Sequence, residues 1–116
     1  MSTYSLARGP RGVLGAFESS GQIRFASLGD AELELRDAPG DPGERKHPSI
    51  ACVADGSTLL AWTEGMGWAK GGALAWQLYD PDGRPVDGAS GRRDGVPTWS
   101  LVQAVALPGG RFVLFY

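Results

Sequence analysis

The chain has 116 residues, 42% of them hydrophobic, which supports a buried core and excludes wholesale disorder. Its 18 Gly and 8 Pro are close to twice a usual combined share of roughly 12%, so little uninterrupted chain is left for long helices. A formal net charge of -2 gives no electrostatic case for nucleic acid or an anionic membrane, and no apolar run is long enough to span a bilayer.

The single Cys52 excludes an internal disulfide. One thiol and one His47 cannot build a Cys/His zinc site, so neither a metal nor a cofactor is expected. No charged start, apolar stretch and small-residue cleavage site opens the chain. The expectation is a cytosolic protein, or an extracytoplasmic one if Met1 is not the native start.

In chain order, Tyr4-Ser5-Leu6-Ala7 reads as a first strand and 13–18 as a second. The Ser19-Ser20-Gly21 turn leads to a third strand at 22–28, and 32–36 supplies a polar edge. Residues 37–46 form a polar Pro/Gly connector. A short apolar run at 49–54 is closed by Asp55-Gly56, a strong hairpin signal, and 58–63 follows with β-branched and aromatic residues. Another strand at 73–79 ends in Asp80-Pro81-Asp82-Gly83, and the Pro-marked segment 85–87 suits only an edge. Trp99-Ser100-Leu101-Val102 restarts a first strand, Pro108-Gly109-Gly110 makes the turn, and 112–116 is a second strand.

The order repeats. Leu14-Gly15-Ala16-Phe17 precedes Leu59-Leu60-Ala61-Trp62 by 45 residues, Tyr4-Ser5-Leu6-Ala7 echoes Pro48-Ser49-Ile50-Ala51, and Trp99 restarts the pattern 51 residues after Pro48. Four strands, four strands and then two, in antiparallel meanders, match the period of a β-propeller blade. The small residues Ala51, Ala54, Ala104 and Ala106 suit innermost strands, where blades converge. The expected fold is all-β, a propeller fragment or subunit of four-stranded blades. Residues 1–37 would be one blade, 47–88 a second and 98–116 the first two strands of an incomplete one. The alternative is a β-sandwich of about ten strands.

The stretch His47-Pro48-Ser49-Ile50-Ala51 … Ala54-Asp55-Gly56 … Leu60-Ala61-Trp62 resembles the blade opening of sialidase-like (BNR or Asp-box) propellers. The likeness continues through Gly71-Gly72, Ala75-Trp76 and Asp80-Pro81-Asp82-Gly83. The Asp box of that family reads Ser-x-Asp-x-Gly-x-Thr-Trp. This chain keeps Asp80, Asp82 and Gly83 but has no Ser and no Thr-Trp there. Sialidase-type hydrolysis, which the resemblance would imply, needs three converging arginines, a Tyr/Glu pair and an acid/base Asp. Arg24, Arg45, Arg84, Arg92, Arg93 and Arg111, with Tyr4, Tyr79 and Tyr116, fall in no such pattern. No catalytic residue is therefore assigned, and hydrolysis would need a complete propeller.

The expected role is binding or scaffolding, with a glycan or a protein partner held by loops at one end of the blades. The loop from Glu64 to Gly72 carries Trp68 between Glu64 and Lys70, and an exposed indole adds contact area at low entropy cost. The competing reading folds Trp68 back over the core. Trp99 is the second candidate, with inter-blade packing as its rival. His47 enters at a strand start, as a rim residue or a plain polar end. The candidate ligand residues are thus Trp68, Trp99, Lys70, Glu64 and His47. Cys52 reads as a buried small hydrophobe, 91–95 as a solvated loop, and Asp80 to Gly83 as a turn and not a calcium loop. The last strand, left as an apolar edge, calls for self-association or for further propeller strands to cover it.

Overall fold

The computed structural model describes residues 3–29 and 33–116, and every regular element among them is a β-strand. Three antiparallel sheets form. Strands β1 (Tyr4–Gly9), β2 (Gly12–Ser19), β3 (Gln22–Leu28) and β4 (Arg36–Asp37) make the first. The second holds β5 (Arg45–Cys52), β6 (Thr58–Glu64), β7 (Gly72–Tyr79) and β8 (Pro85–Val96), and β9 (Gln103–Leu107) with β10 (Arg111–Phe115) makes the third. Each sheet is a meander in chain order, as short hairpins dictate. None closes on itself.

Turn chemistry sets the hairpins. Asp80 Oδ1 accepts the amides of Asp82 and Arg84, and Gly83 takes φ 81°, a left-handed value that favours glycine. Asp55 Oδ1 accepts the Ser57 amide in the same way at the β5–β6 turn.

The second sheet lies between the other two, with β5 packed against both β1 and β9. Strand alternation divides its side chains. Ile50, Leu60, Trp62, Ala75 and Tyr79 join Ala16, Ile23 and Phe25 of the first sheet in one cluster. On the opposite face Ala51 and Leu59 pack on Ala104, and Ala61, Leu74 and Val96 gather with Met66 and Val102. A sheet covered on both faces needs near-continuous apolar strands, and β6 is buried from Thr58 to Thr63.

The first strands are also joined by hydrogen bonds of one kind. Ser5 Oγ accepts the Ile50 amide at 3.2 Å, and Ser49 Oγ accepts the Ala104 amide at 2.8 Å. Ser5 and Ser49 occupy equivalent places in the repeat. Each serine satisfies an amide on the edge strand of the next sheet, a donor that no neighbouring strand reaches.

Several expectations change. β9 begins at Gln103, not at Trp99; residues 97–100 form a turn in which the Ser100 amide donates to Pro97 O, with Trp99 at φ 67°. β8 extends from Pro85 to Val96 and absorbs 91–95, read above as a loop. Its partner β7 supplies the ladder, and the Trp76 ring covers Gly91, where a Cβ would lie 2.4 Å from the indole. The connector loses Arg45 and Lys46 to β5. The polar edge of the first sheet is Arg36–Asp37, while residue 32 of the expected strand lies outside the described residues. Ala54 is exposed in a turn, and Cys52 is half-buried at the end of its strand.

Candidate functional site

Trp68 and Trp99 meet. Trp68 stands at the tip of a four-residue turn in which Gly67 and Lys70 exchange backbone hydrogen bonds of 3.3 and 3.2 Å. Ala69 completes that turn at φ 51°, a left-handed value that costs a side-chain-bearing residue energy. The base of the loop is fixed by Met66, buried among Ala61, Leu74, Val96 and Val102. Gly71 lets the loop lie directly on the following segment, since a Cβ there would sit 2.4 Å from Val96 O. This contact brings the two turn tips together. The indoles are edge-to-face, with centroids 4.8 Å apart and planes at 87°. Both face solvent: Trp68 is 87% exposed and Trp99 66%. Trp68 therefore does not cover the core, and Trp99 does not pack between sheets.

Lys70 stands on the same turn and pairs with Glu44 at 3.9 Å, both side chains exposed. The Glu44 carbonyl accepts the Gly65 amide, which ties the β4–β5 connector to the loop. Glu64 turns toward the strands. Its carboxylate accepts Trp62 Nε1 at 3.1 Å and Arg92 Nε at 3.1 Å, and lies 3.3 Å from Arg45 Nε.

Arg45 is the most deeply buried charged residue among the described residues. It is 5% exposed, donates to Gln22 Oε1, Ala38 O and Pro39 O, and lies 5.1 Å from the Trp62 ring centre. Its Nε faces Glu64 at an angle that makes the contact Coulombic, without a hydrogen bond. The guanidinium thus locks the first sheet and its connector to the second at the root of the tryptophan loop.

His47 belongs to strand β5 and not to either of the turns that carry the indoles. It adopts φ 53° at the irregularity between Lys46 and Ser49 in β5, and is half-buried. Burial lowers its pKa, and the Lys46 charge lowers it further against an opposing pull from Glu18. The ring is neutral at pH 7.

A second concavity, missed in the sequence, opens at the other end of the first two sheets. This cleft of about 290 Å³ has Leu14, Phe25 and Tyr79 among its lining residues, with Arg11, Arg36 and Asp82 also lining it. The Phe25 and Tyr79 rings lie 4.7 Å apart, and Arg36 donates to Gly83 O. Burial pushes the Tyr79 hydroxyl up to about 12, although Arg36 and Arg45 pull the other way, so it stays a neutral donor. The sequence placed Arg36 only at the end of a polar edge and Asp80 to Gly83 only in a turn, with Arg36 and Gly83 47 residues apart.

Among the described residues no group of three His, Cys, Asp or Glu side chains is placed to hold a metal ion. No protein-family model, curated protein or solved structure matches the chain.

Proposed function

We propose that the chain is an arc of a β-propeller that binds carbohydrate without catalysis, on the corner formed by Trp68 and Trp99. The observation that carries this reading is the exposed pair itself, with indoles 4.8 Å apart on two separate turns. A soluble protein gains little by placing two of its largest apolar side chains in water. Trp99 also sits at φ 67°, a strained backbone for a bulky residue, and such strain concentrates at functional sites.

One indole face can stack on the apolar side of a sugar ring while the second borders it. Lys70 and Glu44, exposed beside the pair, are suited to sugar hydroxyls. Glu64, committed to Arg45, Arg92 and Trp62, acts as the anchor of the loop. His47 lies outside the proposed site.

The propeller reading rests on the repeated packing of β5 with β1 and β9, and on the small residues Ala51 and Ala104 where the sheets converge. The likeness of 47–62 to sialidase-like blades agrees with it but adds no activity. Arg24 is engaged with Asp37, Arg45 is in the core, Arg92 is held by Glu64 and Asp94, and Arg111 donates to Pro108 O. A carboxylate-binding triad is not favoured by that distribution.

The test is titration with a panel of neutral and acidic oligosaccharides, read by tryptophan fluorescence. Binding by the wild type and its loss in Trp68→Ala at unchanged melting temperature would support the reading. No response to any saccharide, or full binding by Trp68→Ala, would refute it.

A further inference from the structure

We propose that the cleft between the first two sheets binds a free α-amino acid with a large apolar side chain, its carboxylate held by Arg36 and the Tyr79 hydroxyl. The walls of this cleft come from residues between Gly9 and Gly83, and neither Trp68 nor Trp99 belongs to them.

Tyr79 is the observation that points to a ligand. The residue is 3% exposed, yet its hydroxyl has no hydrogen-bond partner among the described residues and opens to the cleft. Polar groups on buried side chains are rarely left without a partner, because the omission costs free energy. Burial keeps this hydroxyl protonated at neutral pH, so it is ready to donate. Arg36 stands near it, close enough for its charge to oppose the effect of burial on Tyr79. The Nη1 atom of Arg36 donates to Gly83 O, and its remaining donors have no acceptor among the described residues. A carboxylate is the group that accepts from a guanidinium and a hydroxyl at once.

The other charges decide what else the ligand carries. Arg11 and Arg36 line the cleft together with Glu34, Asp80 and Asp82. Asp80 is occupied by the amides of its own turn, and Asp82 lies 3.9 Å from Arg11 Nη2. Carboxylates thus outnumber cations, and a ligand bearing only negative charge would meet net repulsion. An ammonium group next to the carboxylate removes that mismatch, with Asp82 and Glu34 as its partners. Both acids are exposed, so solvent screens them and the ammonium contributes less than the carboxylate.

The remaining surface is apolar, with Leu14 and the paired rings of Phe25 and Tyr79. A volume of about 290 Å³, at about 30 Å³ for each water displaced, takes roughly ten non-hydrogen atoms. That suits one leucine or phenylalanine and is too small for a nucleotide or an oligosaccharide.

The probe is L-phenylalanine, titrated into the full chain and followed by NMR chemical shifts. Saturable shifts at Phe25, Arg36 and Tyr79 are expected, with a Kd below about 1 mM. Phenethylamine, which lacks the carboxylate, should bind at least about tenfold more weakly. Hydrocinnamate, which lacks the ammonium, should bind about threefold more weakly. Tyr79→Phe keeps the ring against Phe25 and removes only the unpartnered hydroxyl, so Tm should hold while affinity falls at least about fivefold. Arg36→Gln should weaken binding further, and if loss of its contact with Gly83 unfolds the chain, Tyr79→Phe still decides. Trp68→Ala should bind L-phenylalanine as the wild type does, which separates this proposal from the sugar-binding reading. Absence of saturable shifts, phenethylamine or hydrocinnamate binding as tightly as L-phenylalanine, or full affinity in Tyr79→Phe would overturn it.

Discussion

Replacing Ser49 by Ala removes one oxygen atom and tests how the sheets are joined. Ser49 is 2% exposed and its Oγ accepts the Ala104 amide at 2.8 Å, in a layer with Ala51 and Leu59. Ala104 is itself 4% exposed, so water cannot replace the lost acceptor. A buried donor left without a partner costs about 1–3 kcal/mol, whereas the volume change from Ser to Ala is negligible. The short bond and dry surroundings favour the middle of that range, about 2 kcal/mol, or a fall of about 8 °C in Tm for a domain of this size. Ser5→Ala should cost less, about 1 kcal/mol, because its bond to the Ile50 amide is longer, 3.2 Å, and Ser5 is only half-buried. The two act at different interfaces, so the double variant should lose the sum. Urea unfolding with a shared m-value measures all three. A Ser49→Ala loss below about 0.5 kcal/mol, the size of a surface substitution, would refute the reasoning.

Three further outcomes are expected. Arg45→Met strands two backbone carbonyls and part of the Glu64 charge, and should cost about 3 kcal/mol in urea titrations. Arg45→Lys should recover less than half, because an ammonium cannot reproduce the fork to Gln22, Ala38 and Pro39. Ala69→Gly, at φ 51°, should raise stability by about 1 kcal/mol while leaving saccharide titrations unchanged. The lowered pKa of His47 means that the folded state binds fewer protons than the unfolded chain. Stability should therefore fall as pH drops through about 6.5, the unfolded value. His47→Asn, which tolerates the left-handed backbone, should flatten that fall between pH 7.5 and 5.5 in unfolding midpoints.

The strand plan was legible because its signals are local. Asp55-Gly56 and Asp80-Pro81-Asp82-Gly83 mark hairpins by turn chemistry that their carboxylates carry out, and the apolar run from Thr58 to Thr63 reads as a strand buried on both faces. Even the Ser5 and Ser49 echo was visible, although its purpose was not. What stayed hidden depends on distant partners. Gly88, Gly91 and Gly95 with Arg92, Arg93 and Asp94 argue for a loop, and only the ladder from β7 and the Trp76 ring over Gly91 make them strand. Arg45 looked like connector because Gln22 and Glu64, which hold it, are far off in sequence.

The tryptophans were legible as residues and illegible as a pair. Nothing in the sequence says that Gly71 lets one turn lie on Val96 and Thr98, and so carries Trp68 to Trp99. Trp99 itself was read into a strand. The turn after Pro97 instead ends in a left-handed residue, a position with no signal when glycine or asparagine is absent.

The most direct test of the arrangement is a nuclear Overhauser spectrum of the full chain in solution. The account predicts cross-peaks from the Ser5 β-protons to the Ile50 amide, and from the Ser49 β-protons to the Ala104 amide, which place β5 between β1 and β9. Cross-peaks joining β1 directly to β9, with neither of those two present, would contradict it.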